Sequence, residues 1–89
     1  MPYQLRDLSN EVVLITGATT GIGEAAARQL VEAGAKVALN ARNRERLEAI
    51  VRENAIFVAG DTADPKVMRE LVAAALAKWG RIDALVKIQ

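Results

Sequence analysis

The segment VVLITGATTGIG, residues 12–23, decides the fold because it joins an apolar run to a glycine-rich turn. Residues 12–15 form a short, continuous apolar run, which is typical of a parallel strand buried on both faces. Residues 21–33 follow with the spacing of an amphipathic helix, and Gly34 is placed to end that helix. A strand that passes through such a turn into a helix predicts a site where a phosphate can approach the helix N-terminus.

The remainder of the chain repeats this alternation of strand and helix. The further predicted strands cover residues 37–39, 55–59 and 82–86. The further predicted helices cover residues 44–52, capped by Asn43, and a segment that starts at Asp64-Pro65 and stops at Gly80. The pattern predicts a single α/β domain over residues 1–89. We expect a partial Rossmann-type fold, β-α-β-α-β-α-β, whose parallel sheet has the strand order 3-2-1-4 and helices on both faces.

Apolar residues at helical spacing predict which side of each helix faces the sheet. In the first helix they are Ile22, Ala25, Ala26, Leu30 and Ala33. In the second they are Leu47, Ile50 and Val51, and in the third Met68, Leu71, Val72, Ala75, Leu76 and Trp79.

Composition excludes several classes of function. The 89 residues include 12 basic and 11 acidic side chains, so the near-zero net charge gives no reason to expect a nucleic acid or a membrane surface as partner. The sequence contains neither cysteine nor histidine, so disulfide bonds and thiolate chemistry are excluded. Histidine is also the commonest metal ligand, and no metal site is predicted. Without a secretory signal or a long apolar run, the expected location is cytoplasmic.

The glycines of the turn each have a predicted task. Gly17 permits a sharp turn off the strand, Gly21 lets a pyrophosphate approach the backbone, and Gly23 lets the helix pack closely on the sheet. Their spacing differs from the common G-x-G-x-x-G fingerprint. TGxxxGIG resembles instead the signature of classical short-chain dehydrogenases/reductases, and the resemblance extends from Leu8 to Val86. The alternative is a glycine-rich turn with a purely structural role.

The resemblance implies that the chain binds a dinucleotide through the glycine turn and the ends of the second and third strands. Asp61, at the end of the third strand, would contact the adenine, although it can also be a turn residue before the Asp64 cap. The residues assigned to the cofactor are Gly17, Thr19, Thr20, Gly21, Ile22, Gly23, Asn40, Ala41, Arg42, Asp61 and Thr62.

The end of the second strand favours NADP(H) over NAD(H). By the family pattern, the acidic residue of NAD-preferring members would fall at Ala41, where it is absent. Arg42 follows, at the position where NADP-preferring members carry a basic side chain, and a guanidinium matches a phosphate. Asn40 and Arg44 are possible secondary contacts. Alternatively, Arg42, Arg44 and Arg46 form a solvated cluster at the start of a helix.

The serine, tyrosine and lysine that catalyse hydride transfer in this family cannot be assigned. Tyr3 and Ser9 precede the first strand, and Lys87-Ile88-Gln89 replace the usual Asn-Asn-Ala-Gly. The chain by itself is therefore expected to be inactive. It is interpreted as the NADP(H)-binding portion of such an oxidoreductase or, alternatively, as a stand-alone binding or scaffold domain or a fragment that binds nothing. Its expected partners are a dinucleotide and either a second copy, through the strand-four edge, or a missing C-terminal half.

Overall fold

The computed structural model describes residues 10–17, 21–51 and 54–87 as a parallel sheet flanked by helices. The elements follow the chain in the order β1 (Val12–Thr16), α1 (Gly21–Glu32), β2 (Lys36–Ala41), α2 (Arg44–Ile50), β3 (Ala55–Ala59), α3 (Pro65–Trp79) and β4 (Ala84–Lys87). Neighbouring strands are all parallel, and their order is β3-β2-β1-β4. The predicted fold class and strand order are therefore confirmed.

Strand β1 contributes to two cores, one on each face of the sheet. Val13 and Ile15 pack on the side that also contains Leu47 and Ile50 of α2. Val12 and Leu14 pack on the opposite side, in the cluster formed with Leu71 and Ala75 of α3. Because successive strand residues point to opposite faces, a strand covered on both sides must be apolar throughout. The continuous apolar run that predicted β1 has this cause.

The predicted N-caps of α2 and α3 and the glycines that follow α1 and α3 are confirmed. The side chain of Asn43 accepts a hydrogen bond from the amide of Arg46 at 3.1 Å, and that of Asp64 accepts one from Lys66 at 2.9 Å. Gly34 and Gly80, which follow α1 and α3, both have positive φ. Helix α2 ends at Ile50, because Val51 is already extended with ψ of 134°. It is thus shorter than the predicted 44–52, and Arg52 lies outside the described residues.

The predicted inward face of α1 is partly wrong. Ile22 is 77% exposed and Ala25 is also exposed, whereas Gly23 and Ala27 are the buried residues of the helix. The helix approaches the sheet through its smallest residues, which an apolar periodicity does not distinguish from large ones. On α3, Leu71 and Ala75 are buried as predicted, while Leu76 lies exposed on the flank.

Strand β4 begins at Ala84 rather than at the predicted Ile82, because Asp83 bonds to Val12 of β1 through both its backbone amide and its carboxylate. Its backbone amide donates to the carbonyl of Val12 at 2.8 Å, and its carboxylate accepts from the Val12 amide at 2.8 Å. Arg81 holds the same carboxylate through an Nη2–Oδ1 contact of 2.6 Å. Asp83 therefore joins the entry of β4 to the start of the central strand.

We predict that stability falls as the pH drops below about 4, in part through Asp83. The Arg81 guanidinium, and then the Val12 amide, lower the pKa of Asp83 from its ordinary value of 3.8. A carboxyl whose folded-state pKa is lowered stabilises the fold above its unfolded pKa, and this contribution is lost as the pH falls through the folded pKa. Urea unfolding over a pH series should show a weaker acid dependence for Asp83→Asn, which keeps an acceptor oxygen but does not titrate. Identical pH dependences in the variant and the wild type would contradict this assignment.

Candidate cofactor site

The carboxyl ends of the four parallel strands lie along one edge of the sheet, and the glycine turn opens there. Gly17 follows β1 with a φ of 75°, a backbone conformation that residues other than glycine rarely adopt. The hydroxyl of Thr16, at the end of β1, is buried and finds no hydrogen-bond partner within the described ranges. The predicted contacts Thr19 and Thr20 lie outside the described residues.

The start of α1 leaves room for a side chain at its first residue. A Cβ built on Gly21 would meet no atom within 4 Å among the described residues, its chain neighbours aside. Ile22 extends into solvent next to it, while Gly23 is buried against the sheet. The first amides of a helix have no partner within that helix, and their dipoles favour an anion. This geometry fits a phosphate group, since among the described residues no atom outside the helix backbone and the neighbours of Gly21 approaches the place of a Cβ at Gly21.

Asn40 connects the end of β2 to the segment that follows β3. Its buried amide nitrogen donates to the carbonyls of Val58 at 3.0 Å and Gly60 at 3.3 Å. Its amide oxygen accepts from the hydroxyl of Thr62 at 2.6 Å. The protein itself thus uses both ends of this side chain. Cofactor contacts by Asn40 and Thr62 stay predictions, and these hydrogen bonds compete with them.

Arg42 and Asp61 meet at the same edge. Ala41 is buried at the end of β2, and Arg42 follows it with a side chain that is 79% exposed. Its Nη2 lies 3.2 Å from Oδ2 of Asp61, whose side chain is 51% exposed. The amide of Ala63 donates to Oδ1 of Asp61 at 2.9 Å. This backbone bond, and then the bond from Arg42, lower the pKa of the Asp61 carboxyl, which is therefore ionised at neutral pH.

The two other arginines near the start of α2 have different partners. The Arg44 guanidinium lies 5.4 Å from the centre of the Phe57 ring, within cation–π range. Arg46 Nη2 lies 3.3 Å from Oε1 of Glu24 and thereby links α2 to α1. All three arginines are exposed, as the solvated-cluster interpretation requires, but only Arg42 pairs with the loop after β3.

Sequence reasoning missed Gly60, which sets the path of the chain after β3. A Cβ at this position would lie 2.7 Å from Cγ2 of Val67 on α3. Any larger residue would require the Val67 side chain, α3 or the loop that carries Asp61 to shift, and the φ of 151° at Gly60 disfavours a side chain there. The available signal was a glycine directly between an apolar strand and an aspartate.

Neither a metal-binding cluster nor a membrane-spanning helix occurs among the described residues. Histidine, cysteine, aspartate and glutamate side chains form no group of three or more there that could hold a metal ion. None of the helices in those ranges has the length and apolar character needed to cross a membrane.

Comparison with known proteins identifies the family. A family model described as short chain dehydrogenase matches residues 11–88. The chain belongs to the short-chain dehydrogenase family. An uncharacterised oxidoreductase of Listeria innocua is 42% identical over 84 residues, which is 88% of this chain and 34% of the relative. The chain thus spans about a third of that relative's length.

Solved structures of short-chain dehydrogenases share the fold. A metagenomic short-chain oxidoreductase in complex with NADP is 38% identical, with a TM-score of 0.77 over 90% of this chain and 39% of that protein. The 3-ketoacyl-(acyl-carrier-protein) reductase from Brucella melitensis, complexed with NADH, is 36% identical with a TM-score of 0.77. That match covers 84% of this chain and 32% of the reductase. The family thus includes proteins that bind either dinucleotide.

Proposed function

We propose that residues 1–89 form one domain that binds NADP(H) in preference to NAD(H). The complete protein would be an oxidoreductase that transfers hydride between the nicotinamide and a carbonyl or alcohol carbon. The observation that carries the preference is the exposed guanidinium of Arg42, directly after the uncharged, buried Ala41. The cytoplasmic location stays a prediction.

The pyrophosphate would lie at the start of α1. Gly17 turns the chain off β1, Gly21 leaves room, and the amides of Ile22 and Gly23 in the first turn of α1 supply donors and a favourable dipole. Thr19 and Thr20 belong to this proposed set because the turn lies between Gly17 and Gly21. A phosphate held by backbone amides needs no cationic side chain in the turn, and this turn has none.

The adenosine would extend along the strand ends toward β3. A carboxylate at position 41 would accept hydrogen bonds from the ribose hydroxyls and repel a 2′-phosphate, and Ala41 does neither. Arg42 offers that phosphate a charge-assisted hydrogen bond. Asp61 and Thr62 lie on the adjacent loop, within the reach of Arg42 and Asn40 respectively, and are proposed to border the adenine. Since one relative was solved with NADP and another with NADH, family membership alone does not select the cofactor, and the preference for NADP(H) is proposed from Ala41 and Arg42 at the end of β2.

A binding or scaffold domain without turnover is the alternative function. The two functions share the dinucleotide site and differ only in whether a catalytic group acts on the nicotinamide side.

Arg42→Ala should weaken NADP(H) binding by about 1–3 kcal/mol, the value of a lost charged hydrogen bond, and leave NAD(H) binding nearly unchanged. Calorimetric titration of both cofactors against both proteins measures the difference. Arg69→Ala, at an exposed arginine of α3, is the matched control. Equal losses for the two cofactors, or tighter NAD(H) binding by the wild type, would refute the preference.

Gly21→Val should abolish dinucleotide binding with little effect on the fold. The new side chain would enter space that the described residues leave free beside Gly21 and that a pyrophosphate needs. Ala25→Val places the same side chain on an exposed position of α1 away from the turn and should bind normally. Circular dichroism checks folding. A folded Gly21→Val protein with undiminished affinity would make the turn merely structural.

Self-association through the β4 edge is proposed for the isolated chain. Within the described residues β4 pairs with β1 only, so its other edge has unpaired backbone groups, and Leu85 is 50% exposed. Lys87 is the charged residue of this strand, and because it lies at the end it opposes pairing with a second copy only weakly.

Light scattering over a concentration series should therefore show a dimer or larger species. Leu85→Lys should shift the population toward monomer, because a charge on β4 opposes pairing. Leu76→Lys, at an exposed leucine of α3, is the control. It should leave the association unchanged if the β4 edge is the interface, and reduce it equally if any exposed apolar residue is enough. A wild-type monomer at high concentration would show that the edge does not drive association.

A further inference from the structure

Asp61 lies beside Arg42, the residue proposed to bind the 2′-phosphate. Its carboxylate is the ion-pair partner of Arg42, at 3.2 Å between Oδ2 and Nη2. Both side chains are more than half exposed, so water screens the pair and its stabilisation is small. A dianionic phosphate that approaches Arg42 therefore competes with a partner that it is able to displace.

The carboxylate is held in place by its own loop. Oδ1 accepts the Ala63 amide at 2.9 Å, and the Asp61 carbonyl accepts the Asp64 amide at 3.0 Å. The loop is also fixed through the 2.6 Å hydrogen bond between Thr62 and Asn40. These bonds keep a negative charge beside Arg42 even when another anion takes over the guanidinium.

The nitrogen that Asp61 occupies matters for phosphate recognition. A guanidinium binds a phosphate through two parallel N–H groups, from Nη2 with either Nε or Nη1. Nη2 belongs to both pairs. A phosphate that uses either pair must share Nη2 of Arg42 with Asp61 or displace Asp61 from it, and in both cases like charges are close together.

We propose that Asp61 is a specificity-determining residue that competes with the 2′-phosphate for Arg42 and restrains the preference for a phosphorylated ribose. This inference rests on the proposed function. Besides its proposed contact with the adenine, Asp61 would thus act through Arg42 on the choice between NADP(H) and NAD(H). The chain thus carries an attractive group and its counter-charge on adjacent strand ends.

The test compares adenosine 2′,5′-bisphosphate with 5′-AMP, because these ligands differ only in the 2′-phosphate. Any effect on the adenine or the 5′-phosphate cancels in the ratio of their affinities. Asp61→Asn keeps an oxygen for the Ala63 amide and removes the charge. The ratio should rise about two- to five-fold, the size of an exposed ion pair. In the Arg42→Ala background the same substitution should change the ratio by less than about two-fold.

Asp64→Asn is the matched control. It removes a negative charge from the same loop while keeping the cap of α3, since asparagine caps as well as aspartate. Its effect on the ratio should be clearly smaller than that of Asp61→Asn. Asp61→Ser, whose hydroxyl can also accept the Ala63 amide, replaces the asparagine variant if that protein does not fold.

The outcomes separate the inference from the proposed function. A wild type that binds the bisphosphate, with an unchanged or lower ratio in Asp61→Asn, overturns the role of Asp61 and leaves the NADP(H) preference intact. An equal rise of the affinity ratio in Asp64→Asn also overturns the role of Asp61, because the loss of any negative charge from this loop would then explain the change. Absence of binding of either ligand by the wild type and the variants overturns both proposals.

Discussion

Parallel pairing of β1 on both of its edges is the constraint on which the site depends. Val13 is aligned with Val37 of β2 and with Ala84 of β4, so the central strand fixes the register of its two neighbours. Parallel strands joined by helices all end at the same edge of the sheet, which brings together segments that are far apart in sequence. The buried core on both faces holds this register, because a slip by one residue would turn apolar side chains from one core into the other.

At that edge, one buried amide organises the loops. The Asn40 side chain binds the carbonyls of Val58 and Gly60 and the hydroxyl of Thr62, and it thereby ties the end of β2 to the end of β3 and to the loop that follows. Since a buried amide without partners is costly, this arrangement holds the loop after β3 in one position relative to β2. Arg42 and Asp61 meet as a consequence. The charge distribution that a nucleotide would encounter thus follows from a polar group inside the sheet.

Local patterns predicted the elements, and geometry across the sheet accounts for what was missed. The apolar run of β1, the Asn43 and Asp64 caps and the glycine that ends α3 are signals carried by neighbouring residues, and the structure confirms them. The network around Asn40 joins residues that are 18 to 22 positions apart, and no local pattern contains its geometry. The exposure of Ile22 was missed for a related reason, because the approach of α1 depends on Gly23 and Ala27 being small.

We propose that the glycine turn and the ends of β2 and β3 form one dinucleotide site. A two-dimensional amide NMR titration of the chain with NADPH tests this. Signals of Gly17, Gly21 and Gly23 should shift together with those of Arg42 and Asp61, along a single saturating curve. Shifts confined to α3 and β4, or unchanged spectra at saturating NADPH, would contradict it.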